Sequence, residues 1–226
     1  AGAMSQISGQ SLGREGPAVH LGAGIASQLG QWLKLPNNSL RILVGCGVAS
    51  AISASFDTPI AGVIFAMEVV LMEYSITGFI PVILASVVGT AISKAVFEQS
   101  LNFDSLDSRL GSLWEMPFIA LGGILVAFAA GALIHLHLWV LSVNRLPIVV
   151  KASIAGLVTG LIAIWLPAIM GNGYDTILSS SRGELGLALL LALVAAKITA
   201  TGIASGSGLC GGLIGPTLVI GACLGA

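Results

Sequence analysis

The chain has 226 residues, of which 56% are hydrophobic and only 8% are charged, and its formal net charge is −1. Soluble domains carry about 25% charged residues, so a soluble fold with a very apolar core is disfavoured. The absence of a basic excess argues against nucleic-acid binding. The composition instead predicts a multi-pass integral membrane protein, which we expect in the lipid bilayer of the cell (inner) membrane.

Charge-free apolar runs predict most of the helices, and a membrane span needs roughly 20 such residues. The segments 40–54 and 59–74 are too short to cross a bilayer upright. The stretches 171–174 and 179–184 are rich in glycine, serine and charge, and they predict exposed connections. The predicted helices cover residues 17–33, 40–54, 59–74, 78–98, 116–143, 148–166, 185–204 and 216–226.

A polar stretch at 98–115 is the best candidate for a boundary between two halves of one membrane domain. It carries Asp104, Asp107 and Arg109 between two apolar runs. Residues 1–98 would then be the end of a first half, and about 115–226 most of a second. Neither end of the sequence has a polar flank, so we expect a piece of a longer protein.

Two similar Gly-Pro steps, Gly16-Pro17 and Gly215-Pro216, each precede an apolar run. Proline is tolerated at the first helical position, where its missing N–H has no partner. Glu15 is therefore predicted just ahead of a helix N-terminus, where N–H groups and the helix dipole attract negative charge. Interrupted helices at matching positions of two halves indicate a transport site in membrane proteins. Here Glu15 would act as a titratable plug of an anion site.

Four sequence blocks resemble the CLC family of chloride channels and chloride/proton antiporters. Residues 13–20 resemble its GREGPxVQ block, with His20 in place of glutamine, and residues 57–68 resemble its PxxGxxFxxE helix. Lys197 with the segment 205–208 resembles the stretch before the last block. Residues 212–216 resemble GxFxP, with Ile214 in place of phenylalanine.

The resemblance implies an all-α polytopic fold with broken, tilted helices and an inverted two-fold repeat. It also implies a homodimer with one pore per subunit.

The resemblance further implies which groups bind chloride, all of them backbone N–H groups. Those of Leu213 and Ile214 would bind a central ion, and those of Arg14, Glu15 and Gly16 would face an outer site. The Glu15 carboxylate would be the gate. The electrostatics of a carboxylate beside a helix start independently favour that role. The alternatives left open are a plain helix cap at Glu15 and glycine stretches that serve only close helix packing.

Glu68 and Val69 bear on the mechanism. Proton-coupled members of the family usually carry a carboxylate directly after the position of Glu68, whereas this chain has Val69. Valine cannot carry a proton, so the sequence predicts a voltage- and pH-influenced chloride channel. The alternative is a chloride/proton antiporter in which water or Glu73 completes the proton pathway. Glu68 is an intramembrane carboxylate for which a functional and a structural role stay open.

Other classes of function find little support in the sequence. A membrane-embedded enzyme would need a nucleophile–base pair or a metal cluster, and none is recognisable. Cys46, Cys210 and Cys223 show no paired spacing that would indicate a disulfide or a metal site. We therefore expect no enzyme activity, no metal and no cofactor, with chloride as the transported ligand. A purely structural membrane module is the remaining alternative.

Overall fold

The computed structural model of the protein describes residues 2–97, 112–143 and 146–226. Most of the predicted boundary stretch at 98–115 lies outside the described residues. Contacts divide the chain into two compact units. One comprises Ala1–Arg14 and Phe103–Ala226, and the other comprises Glu15–Asn102. We call them the larger and the smaller unit. The division of one membrane domain into two halves, residues 1–98 and about 115–226, remains a prediction.

The described residues form an all-α fold, as predicted, with no regular strand among them. The α-helix Pro59–Phe65 continues directly into a π-helix, Ala66–Leu71, and short 3-10 turns lie at Leu113–Glu115 and Pro167–Ile169. The α-helices in chain order are α1 (Gly2–Ile7), α2 (Glu15–Trp32), α3 (Asn37–Phe56), α4 (Pro59–Phe65), α5 (Ile76–Phe97), α6 (Met116–Ser142), α7 (Ile148–Trp165), α8 (Tyr174–Ser181), α9 (Leu187–Gly206) and α10 (Ile214–Gly225).

Five helices of the described part are long and apolar enough to cross a membrane: α3, α5, α6, α7 and α9. The prediction that the segment 40–54 is too short was wrong, because α3 has 20 residues. Pro36 holds an extended conformation directly before the helix, and Asp57 ends it in the left-handed region with φ +57°. The helix therefore begins directly after Pro36 and ends before Asp57, because neither residue has a helical backbone conformation. The segment Pro59–Leu71 is a short apolar helix, as predicted.

Two helix starts lie earlier than predicted. Glu15 is the first residue of α2 and Ile214 the first of α10, so each proline is the third helical residue and not the first. Proline fits there because the N–H groups of the whole first turn lack intrahelical acceptors. Glu15 is consequently part of the helix and not a residue ahead of it.

The predicted exposed connection after α7 was also wrong in part. Residues 174–181 form α8, which buries Thr176 and Ile177. Its run of serines suggested a loop, because serine competes with helical backbone hydrogen bonds. In α8 the Ser180 and Ser181 hydroxyls donate to the carbonyl oxygen of Ile177 at 2.9 and 2.8 Å. Those bonds keep the hydroxyls satisfied inside a helix.

The smaller unit is held by close backbone contact and by buried hydroxyls. Gly22 of α2 and Gly47 of α3 face each other so closely that a Cβ on either would meet the carbonyl of the other. Small residues at such crossings let membrane helices approach. The Oγ atoms of Ser53 and Ser86 lie 2.5 Å apart, and Ser86 donates to the carbonyl oxygen of Pro59 at 2.6 Å. These bonds join α3, α5 and the start of α4.

The core of the larger unit is an apolar cluster. Leu133 of α6, Ile177 of α8, Leu193 of α9 and Val219 of α10 belong to it and are all buried. The 3-10 turn before α8 contributes Ile169, which is fully buried. The cluster thus fixes the chain between α7 and α8 against α9 and α10.

Candidate functional site

A two-residue backbone pairing lies at the centre of the candidate site in the larger unit. The N–H of Gly13 donates to the carbonyl of Gly212 at 2.7 Å, and the N–H of Gly212 donates back at 2.8 Å. Each glycine lies two residues before a first helical residue, Glu15 or Ile214. The segments 13–17 and 212–216 therefore have the same position relative to the first residue of their helices.

The start of α10 presents the predicted central-ion residues, Leu213 and Ile214. The first N–H groups of a helix have no intrahelical acceptor and carry the positive end of its dipole. The Thr217 amide and hydroxyl both donate to the carbonyl of Leu213, at 3.0 and 2.9 Å, so the first turn is well fixed. Leu213 and Ile214 are 39% and 38% exposed. The arrangement can attract an anion through backbone groups.

Arg14 contacts two residues of the larger unit, Asn172 and Tyr174. Its N–H, expected to face an anion, donates to the side-chain oxygen Oδ1 of Asn172 at 3.1 Å. Its guanidinium lies 5.5 Å from the ring centroid of Tyr174, within the range of a cation–π interaction. In this arrangement an ion that uses the Arg14 amide has to displace the side-chain oxygen of Asn172.

Glu15 and Gly16 open α2 in the smaller unit. Glu15 is 3% exposed although its side chain is ionisable. A carboxylate at the first helical position is stabilised by the positive end of the helix dipole. The ring Nδ1 of His20 lies 3.2 Å from the carbonyl oxygen of Gly16, one turn along the helix. Glu15 thus sits where a negative charge is favoured.

The candidate proton-pathway residues lie near one another along the chain. Glu68 and Val69 are in the π-helix, and Glu73 is in the connection between it and α5. All three side chains are exposed, Val69 by 52%. Arg41 donates from Nη2 to the carbonyl oxygen of Leu71 at 3.0 Å and so caps the last residue of the π-helix. Single π-helical turns are frequent at functional sites.

Two side chains near the site, Lys197 and Asn172, were not among the predicted site residues. Lys197 is 1% exposed in the middle of the apolar α9, and its Nζ donates to the carbonyls of Ile169 and Gly171 at 2.8 and 2.9 Å. A lone lysine within a membrane-spanning helix is by itself a signal of function. Asn172, between two glycines, gave a turn signal only. The described residues contain no group of three or more His, Cys, Asp and Glu side chains that could hold a metal.

Comparison with known proteins places the chain in a family. Residues 1–226 match the family model described as voltage gated chloride channel. The chain is 31% identical to the putative chloride channel protein ClcB-like of Ralstonia nicotianae, over 98% of this chain and 53% of that protein. It is 34% identical to the chloride channel protein CLC-f of Arabidopsis thaliana, over 99% of this chain and 31% of that protein.

The fold has a counterpart among solved structures. The crystal structure of a slow cyanobacterial Cl⁻/H⁺ antiporter aligns with a TM-score of 0.78 and 24% identity, over 96% of this chain and 52% of that one. The chain spans about half the length or less of these proteins. A family of chloride channels excludes the alternative of a membrane-embedded enzyme. The chain is an integral membrane protein sequence that belongs to the voltage-gated chloride channel family.

Proposed function

We propose that the protein containing this chain transports chloride across a membrane through a pore gated by Glu15. Family membership over the whole chain and five apolar helices support transport. Two relatives carry the name chloride channel protein. The observation that carries the gate is Glu15 itself, a buried carboxylate at the first position of α2.

Chloride would be bound by partial charges. A full positive side chain in a low-dielectric interior would hold the ion too tightly for turnover, whereas conduction needs binding that is favourable but weak. Helix N-termini supply about half an elementary charge. The N–H groups of Leu213 and Ile214 are the proposed donors to a central ion, and those of Glu15 and Gly16 to an outer one.

Glu15 would compete with chloride for the same kind of group. Its ionised carboxylate is attracted to the start of α2 as an anion is, so it blocks the outer site. When protonated, it loses that attraction and moves away, and chloride enters. The membrane voltage contributes, because moving one elementary charge across it involves about 2.3 kcal/mol per 100 mV. Flux is thus expected to rise with acidity.

Val69 favours a channel over an antiporter, because no carboxylate follows Glu68 directly. The second candidate function is a chloride/proton antiporter in which Glu68, Glu73 or water carries the proton. The structural neighbour named as an antiporter is 24% identical and supports the fold only. We further propose a homodimer in the cell (inner) membrane.

Simultaneous recording of chloride and proton flux tests the proposal. The intact protein is placed in liposomes under a chloride gradient, with protein-free liposomes as the control. Chloride flux without proton movement supports the channel. Chloride flux that drives protons uphill establishes antiport and requires a proton route that avoids Val69. An absence of chloride flux contradicts transport altogether and favours a structural module.

A further inference from the structure

The connection between α7 and α8 is held in one conformation by bonds from two directions. Gly171 and Gly173 have φ angles of +60° and +72°, in the left-handed region that favours glycine. The carbonyl of Gly171 accepts a hydrogen bond from Lys197 Nζ at 2.9 Å, and the N–H of Gly171 donates to the carbonyl of Gln10 at 3.2 Å. Asn172 lies between the two glycines, so its position is fixed with them.

The buried charge of Lys197 carries a free-energy cost that an uncharged side chain in the same place would not have. The residue is 1% exposed, and among the described residues it forms no ion pair with a carboxylate. Its hydrogen-bond partners are the carbonyl oxygens of Ile169 and Gly171. Burying a charge without a counter-charge is unfavourable, and an intramembrane ionisable residue is usually functional. Its placement suggests that the position of the turn matters.

The turn brings one side-chain oxygen to both segments of the candidate site in the larger unit. Asn172 Oδ1 accepts the N–H of Arg14 at 3.1 Å. A methyl group at Gly215, in the first turn of α10, would lie 3.5 Å from the same oxygen. The carboxamide oxygen of Asn172 carries a partial negative charge. It accepts the hydrogen bond of the Arg14 N–H, which the family resemblance assigns to the anion. It stands where an anion would otherwise take that hydrogen bond.

We infer that Asn172, positioned by Lys197, lowers the affinity for an anion at the Arg14 amide by competing with the anion for that hydrogen bond. The inference rests on the proposed chloride transport and adds a residue that controls it. An anion that uses the Arg14 N–H must displace the Asn172 oxygen. The competition lowers the affinity of every ion that uses the Arg14 N–H by the same factor, because each must displace the same oxygen.

Substitutions at Asn172 should shift chloride affinity in opposite directions. Asn172→Ala removes the competing oxygen and leaves the backbone undisturbed. Because a net hydrogen bond changes an equilibrium by roughly two- to tenfold, chloride affinity should rise by that factor. Asn172→Asp keeps the acceptor and makes its bond charge-assisted, about twice as strong, so chloride affinity should fall by at least as much. A role limited to holding the turn would not produce opposite signs.

The role of Lys197 is tested by coupling. Lys197→Met removes both donors to the turn, so Asn172→Ala should have a smaller effect in that background than in the parent. A double-mutant cycle separates this coupling from the loss of the lysine charge. If Lys197→Met does not fold, the two Asn172 variants still decide the inference.

The experiment measures chloride and nitrate binding to the intact purified protein by calorimetry, together with the flux of both ions from liposomes. Asn38→Ala, at an exposed asparagine of α3, is the matched control. Opposite shifts in chloride affinity for the two Asn172 variants support the inference. If both Asn172 variants still transport chloride and their chloride affinities lie within twofold of the control, the role of Asn172 is refuted while the proposed chloride transport stands. A parent protein that neither binds nor transports chloride refutes the proposed function as well.

Discussion

Replacing Glu15 by glutamine is the sharpest test of the gate. The substitution keeps size and hydrogen bonding but removes the negative charge from a side chain that is 3% exposed at the first position of α2. In a buried position, a charge at a helix terminus gains up to about 2 kcal/mol from the dipole. Chloride no longer has to displace that charge, so its half-saturating concentration should fall by up to about 30-fold, at 1.4 kcal/mol per tenfold change.

The pH dependence provides the decisive measurement. The parent's chloride flux should rise as the pH falls, whereas Glu15→Gln should give a high flux that does not vary with pH, because glutamine carries no charge that a proton could remove. Chloride efflux from liposomes between pH 4.5 and 8 measures both; Glu184→Gln, at an exposed glutamate, is the control. A Glu15→Gln protein whose flux still rises with acid as the parent's does would refute the gate.

Three further predictions concern the smaller unit. Gly47→Ala places a methyl group against the backbone of Gly22, so we expect a loss of about 1–3 kcal/mol, measured as a lower melting temperature in detergent. Ser86→Ala removes a buried hydroxyl that bridges α3, α5 and the start of α4, and we expect a loss of about 1–3 kcal/mol; an unchanged unfolding midpoint would contradict that bridge. Lys94→Ala breaks the 2.8 Å ion pair with Asp57, whose side chains are 57% and 29% exposed. Because exposed pairs contribute at most about 1 kcal/mol, stability should barely change, and a loss above 2 kcal/mol would show that the pair is not exposed in the membrane.

Much of the fold could be predicted from the sequence because a bilayer imposes long apolar runs on its helices. Seven of the eight predicted helices have the α-helical character expected, and only the segment 59–74 turns into a π-helix partway. The ends of α3 were missed, because an apolar-run criterion stops at the polar residues near Pro36. Helix α8 was missed for a different reason. It is amphipathic and short, and only its contact with the core cluster makes its serine-rich sequence helical.

The candidate site could be predicted only as far as local sequence determines it. The Gly-Pro steps and Glu15 are local signals, and they indicated two helix starts to within two residues. The bond from Arg14 to Asn172 joins residues 158 positions apart, and nothing in either segment specifies the other. The same holds for Lys197, which lies 26 residues from the carbonyl of Gly171. Such contacts arise from the packing of the helices, and no periodic pattern in the sequence indicates them.

The prolines at the third position of α2 and α10 also limit the number of donors at each start. An ordinary first turn presents a row of amides, and proline deletes one from the row. Pro17 and Pro216 therefore leave each helix with a smaller set of amides that lack an intrahelical acceptor, confined to the residue before the helix and its first two residues, because the amide of Thr217 already donates to the carbonyl of Leu213. Fewer donors mean shorter occupancy by any anion. If the two helix starts bind chloride as proposed, the two prolines favour rapid exchange of the ion over tight binding.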